Sequence, residues 1–315
     1  MGIRGLNTVI KKWAPDAIQI CDISKYRNSK VAIDCSILLY KFKYASKVEN
    51  SHLIGIANRI KFYLMNGVLP VFVFDGVPPE AKKITLAKRQ ANKEKMYIRL
   101  EELRAKEPET EEENKTIQEE IEKLLSQLIV VKKIHIDSSK ELLKKAGIPY
   151  CTAPEDAEKY CAFLQKNGLV DYTVTDDTDA TTFGCPYILK TSINKNIIEI
   201  DTNAILEKFE MSRDSFVDFC ILSGCDYTDP IPHIGPITAF NLIKKHGSIE
   251  EILKALNKEA PNFNYNVSRK IFKEFDYEVP EKFSKINVDK QILLEFLHLH
   301  EFKENVISKF IKILF

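Results

Sequence analysis

Paired cysteines and long apolar runs are both missing from this sequence. Its seven cysteines are scattered, with no Cys-x-x-Cys pair, so they offer neither the spacing of a zinc site nor an even set for disulfides. No stretch approaches the roughly 18 apolar residues that a membrane helix requires, and the first residues lack the apolar segment of a signal peptide. We therefore predict an intracellular protein of a reducing compartment, with no membrane association.

Three common catalytic motifs are missing as well: the sequence has no Gly-x-Ser-x-Gly turn, no Walker loop and no dinucleotide-binding Gly-x-Gly-x-x-Gly. It has no surplus of one charge either, because 46 basic and 45 acidic residues give a formal net charge of +1. This balance excludes a uniformly basic coat for nucleic acid, so any basic surface must be local. With 315 residues, 44% of them hydrophobic, the chain is long enough to bury a sizeable core.

Carboxylates, in contrast, recur at the ends of apolar runs. Val31–Asp34, Val71–Asp75 and Tyr172–Asp179 each end in aspartate, and a fourth run, Cys220–Asp226, does the same. The first three runs are short and rich in β-branched or aromatic residues, which predicts buried strands. Ligands bind beyond the carboxyl ends of the strands in open parallel sheets, so we expect these acids to converge at one edge.

Carboxylates that converge raise one another's pKa unless a cation neutralises them, and a hard divalent ion prefers such oxygen ligands. Each acid alone has an ordinary explanation, because aspartate is common in turns after strands. Together they predict a centre of two metal ions ~3.5–4 Å apart, suited to phosphodiester hydrolysis by an activated water. The candidate metal ligands are Asp34, Asp75, Asp156, Glu158, Asp177, Asp179 and Asp226.

Two pairs of these acids have different local settings. Asp177 and Asp179 are two residues apart just beyond a strand, so an extended stretch would direct both side chains to one face. Asp156 and Glu158 fall in the first turn of a helix predicted to begin at Pro154. The helix dipole alone favours acids there, so a purely structural role for this second pair stays open.

The order of predicted elements indicates an α/β fold with a helical insertion. Strand and helix patterns alternate up to Asp75 and resume near Gly147, whereas the intervening segment is highly charged and has helical spacing, interrupted near Pro108. Beyond residue 204 the pattern is helical throughout. We therefore divide the chain into two parts of one sheet domain, an insertion between them and a helical subdomain, with the boundaries 1–77, 78–145, 146–204 and 205–315.

Charge is segregated within the insertion. Residues 82–106 hold nine basic and three acidic residues, whereas residues 107–122 hold one basic and eight acidic residues. Lys82, Arg89 and Lys93 are spaced by whole helical turns, which predicts that they share one face. A solvated basic stripe is the ordinary interpretation, but beside a metal centre the same face would bind a phosphate and attract a polyanion.

Two further features suit nucleic acid. Tyr40, on the helix after the first strand, is either a half-buried core residue or a residue that stacks on an unpaired base. The segment Ser223–Ala239 joins two predicted helices through a turn that contains Gly235 and Pro236. Such a turn exposes backbone amides that bind a DNA phosphate, although an ordinary helical hairpin has the same features.

Taken in order, these segments resemble the flap endonuclease branch of the Rad2/XPG structure-specific nucleases. The resemblance covers nearly the whole chain. It rests on the N-terminal motif, the segments around the acids and the helical turn, namely Met1–Leu6, Ala32–Ser36 with Tyr40, Val73–Pro79, Leu86–Arg89, Gly147–Tyr150 through Ala157-Glu158, Asp177–Asp179 with Thr182–Gly184, Gly224–Tyr227 and Ile234–Pro236.

The resemblance implies a PIN-like nuclease core, which is a mostly parallel sheet flanked by helices. Residues 78–145 would be a helical arch that threads a 5′ single strand, and a helix–two-turn–helix subdomain would follow the core. The seven acids would bind two Mg²⁺ ions, which Mn²⁺ can replace, and the helix–two-turn–helix turn would hold a K⁺ ion. Lys82 and Arg89 would be the catalytic residues that polarise the phosphate, and Tyr40 would stack on a base.

Further DNA contacts are also implied by the resemblance. One group matches the region where such enzymes hold a one-nucleotide 3′ flap, namely Asn50–His52, Arg59 and Phe302. The complete set of implied substrate-binding residues is Gly2, Tyr40, Arg59, Lys88, Lys93, Ile234 and Gly235.

Three positions depart from the family pattern. Asp156 stands where the family usually has Glu, His233 stands where a Gly usually precedes Ile234, and Ile237-Thr238 replace a basic pair. We expect Asp156 to alter how this side chain reaches a metal ion. We expect the other two changes to alter the K⁺ site and the binding of duplex DNA. The segment that ends at Phe315 contains no sliding-clamp motif, so we expect no clamp partner, and we expect a monomer.

From these features we predict a Mg²⁺-dependent nuclease of replication or repair, in the nucleus or another DNA-containing site. It would cut 5′ flaps and also remove nucleotides from 5′ ends, acting on DNA with a flap or a junction of single and double strands. Two alternatives stay open. A relative with exonuclease or junction-resolving preference would use the same centre, and a non-enzymatic DNA-binding module would keep the fold with a degenerate metal site.

Overall fold

The computed structural model describes residues 2–46, 48–191, 196–257 and 260–315, so Met1 of the N-terminal motif lies outside the described residues. Seven strands of this part of the chain form one sheet in the order β1-β7-β6-β5-β2-β3-β4. The strands are β1 Ile18–Cys21, β2 Lys30–Asp34, β3 Leu69–Phe74, β4 Tyr150–Thr152, β5 Tyr172–Val174, β6 Tyr187–Thr191 and β7 Ile197–Asp201.

The five strands β6, β5, β2, β3 and β4 run parallel, and β7 and β1 complete one edge in antiparallel pairing. β2 and β3 pair from Lys30 with Leu69 to Asp34 with Val73. Every residue from Val31 to Asp34 is buried, as expected for a β-branched run in a parallel sheet covered on both faces. The predicted α/β class with a mostly parallel central sheet is confirmed.

Helices of the first half of the chain cover both faces of this sheet. Val31 and Ile33 of β2 pack in the cluster of α2 and α3, whereas Ala32 packs on the other face with Ala157 of α7. The helices are α1 Leu6–Trp13, α2 Cys35–Ala45, α3 Ser51–Met65, α4 Lys83–Arg104, α5 Glu111–Gln127, α6 Lys133–Lys145, α7 Ala157–Lys166 and α8 Asp179–Phe183.

Two long helices, α4 and α5, pack against each other and form most of the insertion. Residues 78–145 are called the arch below. The tip between the helices contains Pro108, and α5 begins after Thr110, whose hydroxyl accepts a hydrogen bond from the Glu113 backbone N–H at 3.1 Å. This capping bond and the acids Glu111 to Glu113 in the first turn favour a helix start here.

The second half of the chain is helical and has an aromatic core. Trp13 of α1 stacks on Phe240 at a ring distance of 4.5 Å, and Phe209 and Phe219 surround the same ring. The helices are α9 Thr202–Phe209, α10 Arg213–Ser223, α11 Pro236–His246, α12 Ile249–Leu256, α13 Tyr265–Lys273, α14 Lys290–Leu299 and α15 Glu304–Leu314.

Residues 274–289 cross back from α13 to the sheet domain without forming a helix or strand. The Tyr277 hydroxyl donates to Glu155 at 2.8 Å, and the Ile286 backbone N–H donates to the Gly147 carbonyl at 2.9 Å. Beyond this crossing, α14 packs on α6 and α15 packs on α3. The expectation that everything after residue 204 is helical is therefore wrong for this segment, in which acidic and apolar residues alternate from Glu274 to Val279.

The first turn of α7 also differs from the prediction. The helix begins at Ala157 rather than Pro154, and Asp156 has an extended backbone at the N-terminal cap position. The carbonyl groups of Pro154 and Glu155 accept hydrogen bonds from the backbone N–H groups of Val77 and Gly76, so this segment pairs with the chain after β3 instead of starting a helix. Across the described residues, we find no helix that combines the length and apolarity needed to span a bilayer.

Candidate metal centre and nucleic-acid cleft

Three aspartates reach the same edge of the sheet because β2, β3 and β5 lie close together in parallel. Asp34 ends β2, Asp75 follows β3 directly, and Asp177 lies just beyond β5. The Thr175 hydroxyl donates to Asp34 Oδ2 at 2.8 Å, and the Asp75 carboxylate accepts a hydrogen bond from the Ala157 backbone N–H at 2.8 Å. These bonds fix the positions of two carboxylates at the edge.

The other four acids come from the ends of helices. Asp156 and Glu158 lie at the start of α7, Asp179 is the first residue of α8, and Asp226 follows α10. The prediction of an extended stretch from Asp177 to Asp179 is wrong. The Asp179 backbone N–H donates to Asp177 Oδ1 at 3.0 Å, and α8 begins at Asp179. A helix-start turn, rather than strand alternation, brings these two carboxylates together.

Glu158, Asp177 and Asp179 form the most compact group of acids. One carboxylate oxygen from each lies within 4.8 Å of the others. Asp179 is buried, and neither of its oxygens has a hydrogen-bond partner among the described residues. A buried ionised carboxylate without a partner costs free energy unless a cation neutralises it. Because the donors are carboxylate oxygens alone, these residues fit a hard divalent ion such as Mg²⁺.

Burial raises the pKa of four carboxyl groups in this centre. Burial and the neighbouring Asp75 carboxylate raise the pKa of Asp34 to about 7. Burial likewise raises the pKa values of Glu158, Asp177 and Asp179. The charge of Asp34 adds to the shift at Glu158, and the charge of Asp177 adds to the shift at Asp179. All four shifts have the sign expected for like charges that share a buried site.

Asp156, in contrast, has protein donors on both of its oxygens. Lys82 Nζ donates to its Oδ1 at 2.7 Å, and the Tyr227 hydroxyl donates to its Oδ2 at 2.7 Å. Asp156 therefore connects the base of the arch and the segment after α10 with the start of α7. The structure does not include it in the compact group of three acids.

Two basic residues of the arch base lie over the acids. Lys82 Nζ is also 3.8 Å from Glu158 Oε1, and Arg89 Nη2 donates to both carboxylate oxygens of Asp226, at 2.8 and 2.7 Å. Burial opposes the charge on Lys82, but the carboxylates of Glu158 and Asp156 outweigh burial and raise the pKa of this lysine. Lys82 and Arg89 thus neutralise part of the negative charge of the centre.

Six of the seven acids, all except the buried Asp179, line a cleft of about 940 Å³ together with α2 and the arch. Tyr40 and Tyr44 of α2 line it, as do Arg89 and Lys93 of α4. Tyr40 is 39% exposed, so its ring is accessible from the cleft. Lys88 points elsewhere, because its Nζ lies 2.5 Å from Asp229 Oδ1.

Gly2 packs against the metal centre. A Cβ atom at this position would be 1.9 Å from Asp177 Oδ1, and the backbone φ of 87° lies in the region that favours glycine. Any side chain here would displace Asp177, so Gly2 keeps this carboxylate in place whether or not it also contacts DNA.

The remaining predicted DNA contacts do not line this cleft. Arg59 Nη1 donates to Thr191 Oγ1 at 2.9 Å and lines a separate hollow beside α2 and α3. Ile234 is buried, and Gly235 caps the N-terminus of α11. His233 has a φ of 67°, so this histidine adopts the left-handed conformation that a glycine would take without strain.

Three residues that position the acids were not predicted from the sequence: Ser36, Thr175 and Tyr227. The Ser36 hydroxyl hydrogen-bonds Asp75, Thr175 holds Asp34, and Tyr227 holds Asp156. Ser36 and Tyr227 stand beside acids within the recognised motifs. Their partners are 39 and 71 residues away, however, and only the folded structure shows those contacts.

The chain is similar to known proteins in sequence and in structure. The XPG N-terminal domain model matches residues 1–96, and the XPG I-region model matches residues 147–226. Flap endonuclease 1 of Aedes aegypti is 39% identical over 302 residues, which covers 90% of this chain and 77% of that protein.

Two solved structures share the fold. The catalytic core of Rad2 in complex with a DNA substrate superposes with a TM-score of 0.78 at 23% identity, and both chains are covered completely. Flap endonuclease-1 from Methanococcus jannaschii superposes with a TM-score of 0.69 at 25% identity, over 94% of this chain and 95% of that one. The chain therefore belongs to the flap endonuclease branch of the Rad2/XPG family and is a structure-specific 5′ nuclease that hydrolyses DNA phosphodiester bonds.

Proposed function

We propose that this nuclease cuts DNA endonucleolytically at 5′ flaps and also removes nucleotides from 5′ ends, in DNA replication or repair. The observation that carries the proposal is the buried Asp179, neither of whose oxygens has a hydrogen-bond partner among the described residues. It lies beside Glu158 and Asp177, two acids that line the cleft together with Lys82 and Arg89. Such a site combines a place for cations with groups that bind a phosphate.

The proposed cofactor is a pair of Mg²⁺ ions, with Mn²⁺ as a substitute. When bound, such ions activate a water and stabilise the leaving oxygen of a phosphodiester. The residues that would hold them are the predicted acids, with Asp156 also engaged by Lys82 and Tyr227. A K⁺ ion in the turn before α11 stays a prediction, which the left-handed backbone of His233 supports.

The other residues of the cleft would bind and orient the DNA. Lys82 and Arg89 would contact the phosphate that is cleaved, and Tyr40 would stack on a neighbouring base. Lys93 lines the same cleft and would add positive charge along the path of the backbone. Lys88, on another face of α4, would contact DNA only after leaving Asp229.

A group of three polar atoms at the start of α3 supports a preference for DNA with a one-nucleotide 3′ flap. Asn50 Oδ1, Ser51 Oγ and His52 Nδ1 are buried and have no hydrogen-bond partner among the described residues. Buried polar atoms normally have partners, so three consecutive ones without any suit a polar ligand. Asn50 Nδ2 donates to the His300 carbonyl at 2.5 Å, which connects this group of atoms to the C-terminal helices near Phe302.

A panel of DNA substrates tests the proposal. In Mg²⁺, we expect a double flap with a one-nucleotide 3′ flap to be cut fastest, compared with nicked, bubble and four-way junction DNA of the same sequence. If the four-way junction is cut fastest, the protein is a junction-resolving relative, and if nicked DNA is digested fastest, it is an exonuclease. If all substrates bind but none is cut in Mg²⁺ or Mn²⁺, the protein is a non-enzymatic DNA-binding module.

Mg²⁺ should raise the melting temperature of the protein before any DNA is added. A ligand that binds only the folded state at 100 times its Kd stabilises it by about 2.7 kcal/mol, which corresponds to several degrees for a domain of this size. Differential scanning fluorimetry with a Mg²⁺ titration measures this shift, and a titration of NaCl at equal ionic strength is the control. Equal shifts for both salts would refute a specific metal centre.

A further inference from the structure

The cleft contains an exposed aromatic residue that the family resemblance does not account for. Tyr44 is 66% exposed and is the most exposed of the twelve tyrosines, all of which are described. It lines the same cleft as Tyr40 and the acids. An aromatic ring of this size on the surface has apolar area that remains in water unless a ligand covers it.

The position of Tyr44 relative to Tyr40 follows from the geometry of α2. The two residues are four apart on a helix that spans Cys35–Ala45, so they lie on the same face, about 6 Å apart along the axis. Ser36, one turn before Tyr40, hydrogen-bonds Asp75 of the metal centre. The three residues Ser36, Tyr40 and Tyr44 thus form a row that leads along the cleft away from the acids.

The charges around this row suit nucleic acid. Lys41, on the turn between the two tyrosines, lines the cleft and pairs with Asp176. Across the cleft, α4 contributes Gln90 and Lys93. Basic side chains that follow a backbone, together with aromatic rings that receive successive bases, are the usual combination for binding unpaired nucleic acid.

On this basis, and resting on the proposed function, we propose that Tyr44 is a second base-stacking residue. Its ring would cover a DNA base further from the cleaved phosphate than the base held by Tyr40. Tyr44 is a positioning residue, because it fixes where the DNA lies in the cleft and does not reach the reacting atoms.

The test compares Tyr44→Ala with Tyr44→Phe, which keeps the ring. Tyr97→Ala is the matched control, since Tyr97 is also an exposed tyrosine (46%) but lies on α4 outside the cleft lining. Stacking of one base on an aromatic ring typically changes affinity by about 5- to 150-fold. We therefore expect Tyr44→Ala to raise the KM for a double-flap substrate about tenfold with kcat nearly unchanged, and Tyr44→Phe and Tyr97→Ala to behave as the wild type.

A fluorescent base reports the contact directly. 2-Aminopurine placed in turn at each of the first four nucleotides on either side of the cleaved bond is quenched where it stacks, and the measurement is made in EDTA so that the DNA stays intact. Tyr44→Ala should restore fluorescence at a position further from the cleaved bond than the one that responds to Tyr40→Ala. Because Tyr44 is exposed, the melting temperature should not change, and this is measured for each variant.

Two results would overturn the inference. One is that Tyr44→Ala has the same KM and the same fluorescence pattern as the wild type. The other is that Tyr44→Ala lowers kcat and leaves KM unchanged. Failure of the proposed function is distinguishable, because then the wild type itself would not cut the double flap, whatever the residue at position 44.

Discussion

Asp179→Asn is expected to abolish DNA cleavage and, in metal-free buffer, to raise the melting temperature. The substitution keeps the shape of the side chain but removes a buried charge that has no hydrogen-bond partner in the described part of the chain. A metal ligand is lost at the same time, so we expect turnover to fall by at least about 10³-fold, or about 4 kcal/mol of barrier. The two effects have one cause, since the charge that binds the cation also repels Asp177 and Glu158.

The dependence of stability on pH provides a second measurement of the same centre. The raised pKa values of Asp34, Glu158, Asp177 and Asp179 mean that the folded protein retains protons which the unfolded chain releases near pH 4. The retained protons therefore increase the free energy of unfolding. This contribution is fully present below about pH 4 and is lost as the pH rises towards the folded pKa, which is about 7 for Asp34. In EDTA the melting temperature of the wild type should decline over this window, and Asp179→Asn should weaken the decline.

Asp214→Asn is the matched control for both measurements. Asp214 is an exposed aspartate at the start of α10, paired with Lys273 and remote from the cleft. The same chemical change there should leave cleavage and melting nearly unaltered. A lower melting temperature for Asp179→Asn in EDTA, or cleavage at the wild-type rate, would contradict the assignment of Asp179 to the metal centre. Mg²⁺ should stabilise Asp179→Asn less than it stabilises the wild type.

The strand-end acids were predictable because they depend on local sequence and on one rule of sheet topology. Val31–Asp34 and Val71–Asp75 are β-branched runs that form buried parallel strands, and parallel strands end at one edge. Two strands on one side of the sheet, β1 and β6, were not predicted. β1, Ile18–Cys21, lies at the edge and has two exposed central residues and no continuous buried run. β6, Tyr187–Thr191, lies inside the sheet and starts directly after Pro186, which obscures its pattern.

Long-range contacts within the site were beyond sequence reasoning. Nothing local to Asp156 indicates that Lys82 and Tyr227, 74 and 71 residues away, occupy both of its oxygens. Asp156 departs from the family pattern, because its side chain is shorter than that of the usual Glu. In the structure this short side chain accepts from two protein donors, a role that depends on how the arch folds back over α7.

The adjacent Glu155 makes a second set of contacts that the sequence did not predict. Glu155 pairs with Lys159 at 2.7 Å and accepts from the Tyr277 hydroxyl at 2.8 Å. It therefore anchors the crossing segment 274–289 to α7. Such a role could not be inferred from the sequence, because Tyr277 lies 122 residues away from Glu155.

Lys82→Met should reduce turnover by about 10²- to 10³-fold, while changing the affinity for DNA far less. The expected size follows from removal of a preorganised charge beside the cleaved phosphate. Arg89→Ala should act in the same direction, since Arg89 occupies the equivalent position over Asp226. Single-turnover cleavage of a double flap measures the first quantity, and fluorescence anisotropy in EDTA measures the second.

The stability effects of Lys82→Met and Asp179→Asn should have opposite signs, because one removes a positive charge and the other a negative charge from the same centre. Loss of Lys82 leaves Asp156 and Glu158 without their ammonium partner, so the melting temperature in EDTA should fall. The same loss removes a cation that competes for these carboxylates, so Mg²⁺ should bind more tightly and produce a larger thermal shift than in the wild type.

Lys83→Met is the control, because Lys83 is exposed and pairs only with Glu80 among the described residues. A smaller Mg²⁺ shift in Lys82→Met than in the wild type would show that Lys82 supports metal binding instead of competing with it.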